Sequence, residues 1–170
     1  STASDDGNMG GYEASDFLWG TVGDLAPTSN VIRLLLKHRM SSAYVTLVQG
    51  EGFAEGEWAA TEKTVLTANV VRKASINLAD GTVKPAGAVE STATIPSQVG
   101  DVWRTIVVPQ TVQAGTTLFS ITIGGVPYKF TKNTALTYVA GKMMKFSIRV
   151  DKNKEDGKYR LTLVSESIAP

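Results

Sequence analysis

The stretch Thr117-Leu-Phe-Ser-Ile-Thr-Ile-Gly-Gly-Val-Pro-Tyr-Lys-Phe-Thr131 decides the fold class. On an extended chain successive side chains point to opposite faces. Phe119, Ile121 and Ile123 therefore form one row, and Leu118, Ser120 and Thr122 the other. Gly124-Gly125 follows at once, and two glycines supply the positive φ angles that a two-residue hairpin turn demands. The chain then returns through Val126–Thr131. The same alternation recurs in Lys142–Val150, where Met144, Phe146, Ile148 and Val150 read inward and Lys145, Ser147 and Arg149 outward. After a charged tip, Lys152-Asn-Lys-Glu-Asp-Gly157, the segment Lys158–Val164 brings Tyr159, Leu161 and Leu163 onto one face.

Moving toward the N-terminus, Val102–Val108 reads as a buried strand ended by Pro109, and Ala88–Ile95 alternates until Pro96. Val65–Leu78 runs into Asp80-Gly81, a hairpin signal. Tyr44–Gln49 and Val31–His38 are apolar runs separated by Arg39-Met-Ser-Ser42. Leu34–Leu36 is continuous and would fit a helix, but the short length and β-branched start of Val31–His38 favour a strand. Val, Ile and Thr make up 45 of the 170 residues, a bias that suits pleated, half-buried surfaces. About eight short strands punctuated by turn signals predict an all-β fold, an antiparallel β-sandwich. Residues 1–15, polar and Gly-rich, are expected to be a flexible N-terminal segment, and 16–170 a single domain. In the Asp16–Gly20 patch, Trp19 is expected to cover an edge of the core.

Composition narrows the chemistry. Without cysteine there is no disulfide framework, thiol nucleophile or Cys-ligated metal. A net charge of +1 gives no electrostatic footprint for nucleic acid. A single histidine, His38, leaves little room for multi-histidine metal binding or Ser-His-Asp catalysis. No run approaches the ~20 apolar residues that span a bilayer, and the opening Ser1–Asn8 reads as a trimmed end rather than a signal peptide.

The remaining motifs are weak. Gly50-Glu-Gly-Phe-Ala-Glu-Gly56 lacks the dinucleotide-loop spacing, and in Ala140-Gly-Lys142-Met143 a methionine replaces the metal-binding hydroxyl of a P-loop. Asp151–Gly157 echoes a calcium loop with its glycine one place late and Thr162 where a bidentate Glu belongs. Glu51, Glu55, Glu57 and Glu62 would suit glycoside hydrolysis only with a carboxylate facing them. Trp58, flanked by Glu57 and Ala59 in a polar loop, is the candidate exposed aromatic for a sugar or protein contact. The expected protein is no enzyme and has no cofactor and no metal.

Four segments carry a family likeness. They are Leu36-Lys-His38-Arg-Met40-Ser41 with Tyr44–Val48; Trp103-Arg-Thr-Ile-Val-Val-Pro109-Gln110; Val112-x-Ala114-Gly115-x-x-Leu118-Phe119 with Ile123-Gly-Gly125-x-x-Tyr128; and Ala140-Gly-Lys142-x-x-x-Phe146-x-Ile148-x-Val150. Their order and spacing over 16–170 resemble the fimbrillin family, the type V pilins and related Mfa-like proteins, although Met144 stands where an aromatic is usual. The resemblance implies a transthyretin-like β-sandwich, matching the C-terminal half of a two-domain pilin subunit. It implies a structural or accessory role in a fimbrium at the cell surface and outer membrane, and export as a lipoprotein precursor. The partners it implies are other fimbrial subunits or further copies, joined by donated strands, with adhesion to a host protein or glycan as the alternative role.

Strand donation has a physical basis, because an open sheet edge and apolar groove are both satisfied by an added strand. The candidate assembly edges are the run with Val31, Ile32, Leu34 and Leu36 and the final strand with Tyr159, Leu161 and Leu163.

Overall fold

A computed structural model describes residues 12, 15–23, 31–91 and 97–170. Most of the segment 1–15 expected to be flexible, and the end of the strand expected over Ala88–Ile95, lie outside the described residues. In chain order the elements are β1 (Leu18–Trp19), β2 (Lys37–His38), β3 (Ser41–Gln49), α1 (Glu57–Ala60), β4 (Lys63–Thr67), β5 (Val70–Val71), β6 (Ala74–Asn77), β7 (Thr82–Pro85), β8 (Val89–Glu90), β9 (Ser97–Val99), β10 (Val102–Val107), β11 (Gln110–Val112), β12 (Thr117–Ile123), β13 (Val126–Thr131), β14 (Leu136–Tyr138), β15 (Met143–Lys152) and β16 (Tyr159–Ala169).

The protein is an all-β sandwich. One sheet has five strands in the order β16-β15-β3-β10-β9, and the other three in the order β13-β12-β4. The core rows are those of the sequence pattern. Met144, Phe146, Ile148 and Val150 of β15 and Ala43, Val45 and Leu47 of β3 are buried with Phe119, Ile121 and Ile123 of β12. Phe119 meets Phe146 edge-on at 5.1 Å between ring centres, which locks the two sheets face to face. The Gly124-Gly125 turn is the expected hairpin: Ile123 pairs with Val126, and both glycines have positive φ.

Two features differ from the sequence expectation. Among the described residues, sixteen strand segments replace about eight. The run Val65–Leu78 breaks into β4, β5 and β6, with Asn69 at φ 56 turning the chain out of the three-stranded sheet. Asparagine tolerates this left-handed conformation better than other non-glycine residues, and its side chain donates to the Thr117 carbonyl at 2.8 Å. The second difference is that β15 runs parallel to β3, with Phe146 opposite Val45, inside an otherwise antiparallel sheet. Strand alternation looks the same in either direction, so the pattern does not encode this choice.

Candidate assembly edge and neighbouring clusters

The strand expected over Val31–His38, which carries the first candidate edge, is shorter in the structure. Val31–Leu36 forms no strand; only Lys37–His38 does, as β2 paired with β1. Val31, Ile32, Leu34 and Leu36 are exposed, Val31 to 87%. Gly20 lies close against the Leu35 carbonyl, where a Cβ would sit at 2.2 Å from the oxygen, and β1 pairs with β2 over two residues. A β-branched, apolar pattern states a preference for extended backbone, but it does not supply a partner strand.

β16 does lie at an edge. Ten of its eleven residues pair with β15 on one side, and no described strand pairs with the other. Tyr159, Leu161 and Leu163 sit opposite Lys152, Val150 and Ile148 and pack half-buried against the core. A bulge then leaves Val164 as an extra residue, exposed to 60%. Beyond it Glu166 and Ile168 stand opposite Phe146 and Met144. Glu166 accepts from Lys132 at 2.5 Å, and Ile168 remains exposed. The inward row of β16 is therefore well covered in its first half and open in its second. Among the described residues its outer backbone groups have no strand partner, the situation that makes long edges reactive toward other strands.

Trp58 is the second correction, since it is only 8% exposed. Gly56, in the left-handed conformation, turns the loop into the single helical turn α1, and this folds the indole inward. Trp58 Nε1 donates to Asp101 Oδ2 at 2.8 Å, and Lys63 Nζ stands 4.1 Å over the ring. Lys63 also donates to the Trp58 carbonyl at 2.6 Å and pairs with Asp101 at 3.4 Å. Phe53 meets the indole edge-on at 5.1 Å and stacks on Tyr159 at 6.0 Å. The polar neighbours that suggested a surface loop are instead the partners that let an indole and a lysine be buried together. A sugar-stacking face is not available at this residue.

The other weak motifs resolve into structure. Glu57 accepts from Lys152 and from the Ala54 amide, and these bonds hold its carboxyl below the usual carboxylate range. His38 Nδ1 lies 2.5 Å from Asp16 Oδ2 on the surface, while Ser41 Oγ donates to the Lys142 carbonyl. Asp151–Gly157 is a hairpin tip in which Asp151 accepts from the Glu51 amide and from Arg149. Sequence reasoning missed the Lys63–Asp101 pair, whose only advance signal was a lysine among the inward positions of Lys63–Thr67.

These elements define a β-sandwich domain with one long open edge and, among the described residues, no cluster of metal-ligating side chains. The chain belongs to the fimbrillin-like family, whose model matches residues 2–169. The fold is shared with candidate cell adhesion proteins of three Bacteroides species. For that of Bacteroides uniformis the identity is 14% and the TM-score 0.58, over 81% of this chain and 52% of the other. For Bacteroides thetaiotaomicron the values are 23% and 0.51, over 72% and 52%; for Bacteroides ovatus they are 11% and 0.51, over 79% and 47%. The chain thus spans about half the length of these structures. No curated protein matches it.

Proposed function

We propose that this chain is a non-enzymatic subunit of a cell-surface fimbrium, structural or accessory, that assembles by β-strand addition and supports adhesion. The observation that carries the reading is the free edge of β16, eleven residues long in a chain of the fimbrillin-like family. An incoming strand there would pair the free backbone groups and cover Val164 and Ile168. The domain spanning 16–170 acts as one half of a longer protein, consistent with the coverage of its structural relatives. Its partners are other fimbrial subunits or further copies, and its location is the outer membrane surface, reached through a lipoprotein precursor. The adhesion role of the structural relatives supports the last step, from assembly to attachment.

The test is an unboiled SDS gel of the full-length protein after limited trypsin-like digestion. A ladder that collapses on boiling is the expected result. A single monomer band under both conditions overturns strand-mediated assembly.

A further inference from the structure

On β10, Trp103, Thr105 and Val107 face the sandwich core, opposite Val45, Ala43 and Ser41. Ile106 and Val108 point the other way and are nonetheless buried. Between this outer face, β5, the start of β6 and residues 15–17 lies a cavity of about 370 Å³. Its walls include Phe17, Met40, Val70, Ile76, Ile106 and Val108. The chain is held firmly around it. Gln110 grips both backbone groups of Val71, accepting from its amide at 2.8 Å and donating to its carbonyl at 3.0 Å, and Arg39 N donates to the Phe17 carbonyl at 2.9 Å.

Among the described residues one cation, Arg72, lines this space, together with Ser15 and Asp16. Arg72 gives a single N–H to Glu90, from Nη1 at 3.2 Å. A guanidinium carries five N–H groups; among the described residues the others have no protein acceptor, on a side chain that is 33% exposed. The Nε–H is buried without a partner, a situation that folded proteins rarely leave unanswered. The acid on the cavity wall, Asp16, is engaged by His38 at 2.5 Å. A small space with largely aliphatic walls and a guanidinium beside it suits an alkyl chain ending in a carboxylate.

We propose that this cavity binds a short-chain aliphatic carboxylate, its alkyl chain against Ile76, Ile106 and Met40 and its head group on Arg72. The aliphatic walls set the chain, and the guanidinium selects the acid over its neutral analogues.

The experiment is isothermal titration of the 170-residue chain with sodium hexanoate, hexanamide and a short peptide ending in leucine. Saturable one-to-one binding of hexanoate is expected, with hexanamide weaker by about tenfold or more, as for loss of a charged hydrogen bond. Arg72→Gln should bring hexanoate down to the amide's level. Ala74→Phe, on the exposed strand β6 beside the cavity, should abolish binding while the circular dichroism spectrum is kept; it decides the matter if Arg72→Gln fails to fold. Absence of saturable hexanoate binding, equal affinity for the amide, or wild-type affinity in Ala74→Phe overturns the proposal. Preference for the leucine peptide over hexanoate also overturns it, since it would assign the cavity to a protein chain end.

Discussion

Trp58 and Asp101, forty-three positions apart, are joined by an indole-to-carboxylate hydrogen bond of 2.8 Å, and the same carboxylate pairs with the buried Lys63. The bond ties the single turn α1 to the β9–β10 corner, and Lys63 extends it to β4 of the opposite sheet. A loop tryptophan thereby becomes part of the structure that holds the two sheets together at one end.

Trp58→Ala should cost about 3–5 kcal/mol in stability, the usual cost of emptying a buried aromatic site. Trp58→Phe should cost less, since it keeps most of the volume and loses the hydrogen bond. Urea midpoints of the two variants give the comparison, and equal small losses would contradict the burial.

At the Lys63–Asp101 pair, Asp101→Ala should destabilise more than Lys63→Met. The first leaves the buried Lys63 ammonium without its partly exposed counter-ion, whereas an apolar replacement removes the charge along with its need. Thermal unfolding of both variants in one buffer checks the order.

Tyr138→Phe should leave stability unchanged or raise it. The Tyr138 hydroxyl is fully buried and has no hydrogen-bond partner among the described residues, and burial pushes its ionisation well up. Deleting an orphaned polar atom relieves a cost of about 1–3 kcal/mol. A clear loss in the urea midpoint would mean that the hydroxyl has a partner.

Acid should weaken the hairpin end. The Glu51 amide, then Arg149, hold the Asp151 carboxyl low, and Lys152, then the Ala54 amide, do the same for Glu57. Both folded values lie below the unfolded ones, so the stabilisation is present above the ordinary carboxylate range, near about 4. It is lost as the pH falls through the lowered folded values. Asp151→Asn should flatten the acid limb of a stability-against-pH curve, read from urea midpoints at a series of pH values.

Val164→Lys should remove the polymer ladder while shifting stability by no more than about 0.5 kcal/mol. The position is an exposed bulge on the open edge, where a charge blocks pairing with another strand and disturbs no core contact. A ladder that survives the substitution would place assembly elsewhere.

Much of the sandwich was legible because it rests on local rules. The Gly124-Gly125 turn follows from positive φ, and the rows on β12 and β15 from two-residue periodicity. Tyr159, Leu161 and Leu163 lie on the face their spacing predicts. The misreadings occurred where context decides. Val31–Leu36 has the composition of a strand, yet the backbone beside it pairs over only two residues. Trp58 sits among polar neighbours in sequence, but one of its partners is Asp101, far along the chain.

By itself, the sequence determined that the chain is all-β, which rows face inward and where two of its hairpins turn, because alternation and turn chemistry act over a few residues. Only the tertiary structure decided that β15 lies parallel to β3, that β16 is left at an edge, and that a buried lysine and a buried indole share one carboxylate. Each depends on which distant segment supplies the hydrogen-bond or charge partner, and that choice is made when the whole core packs.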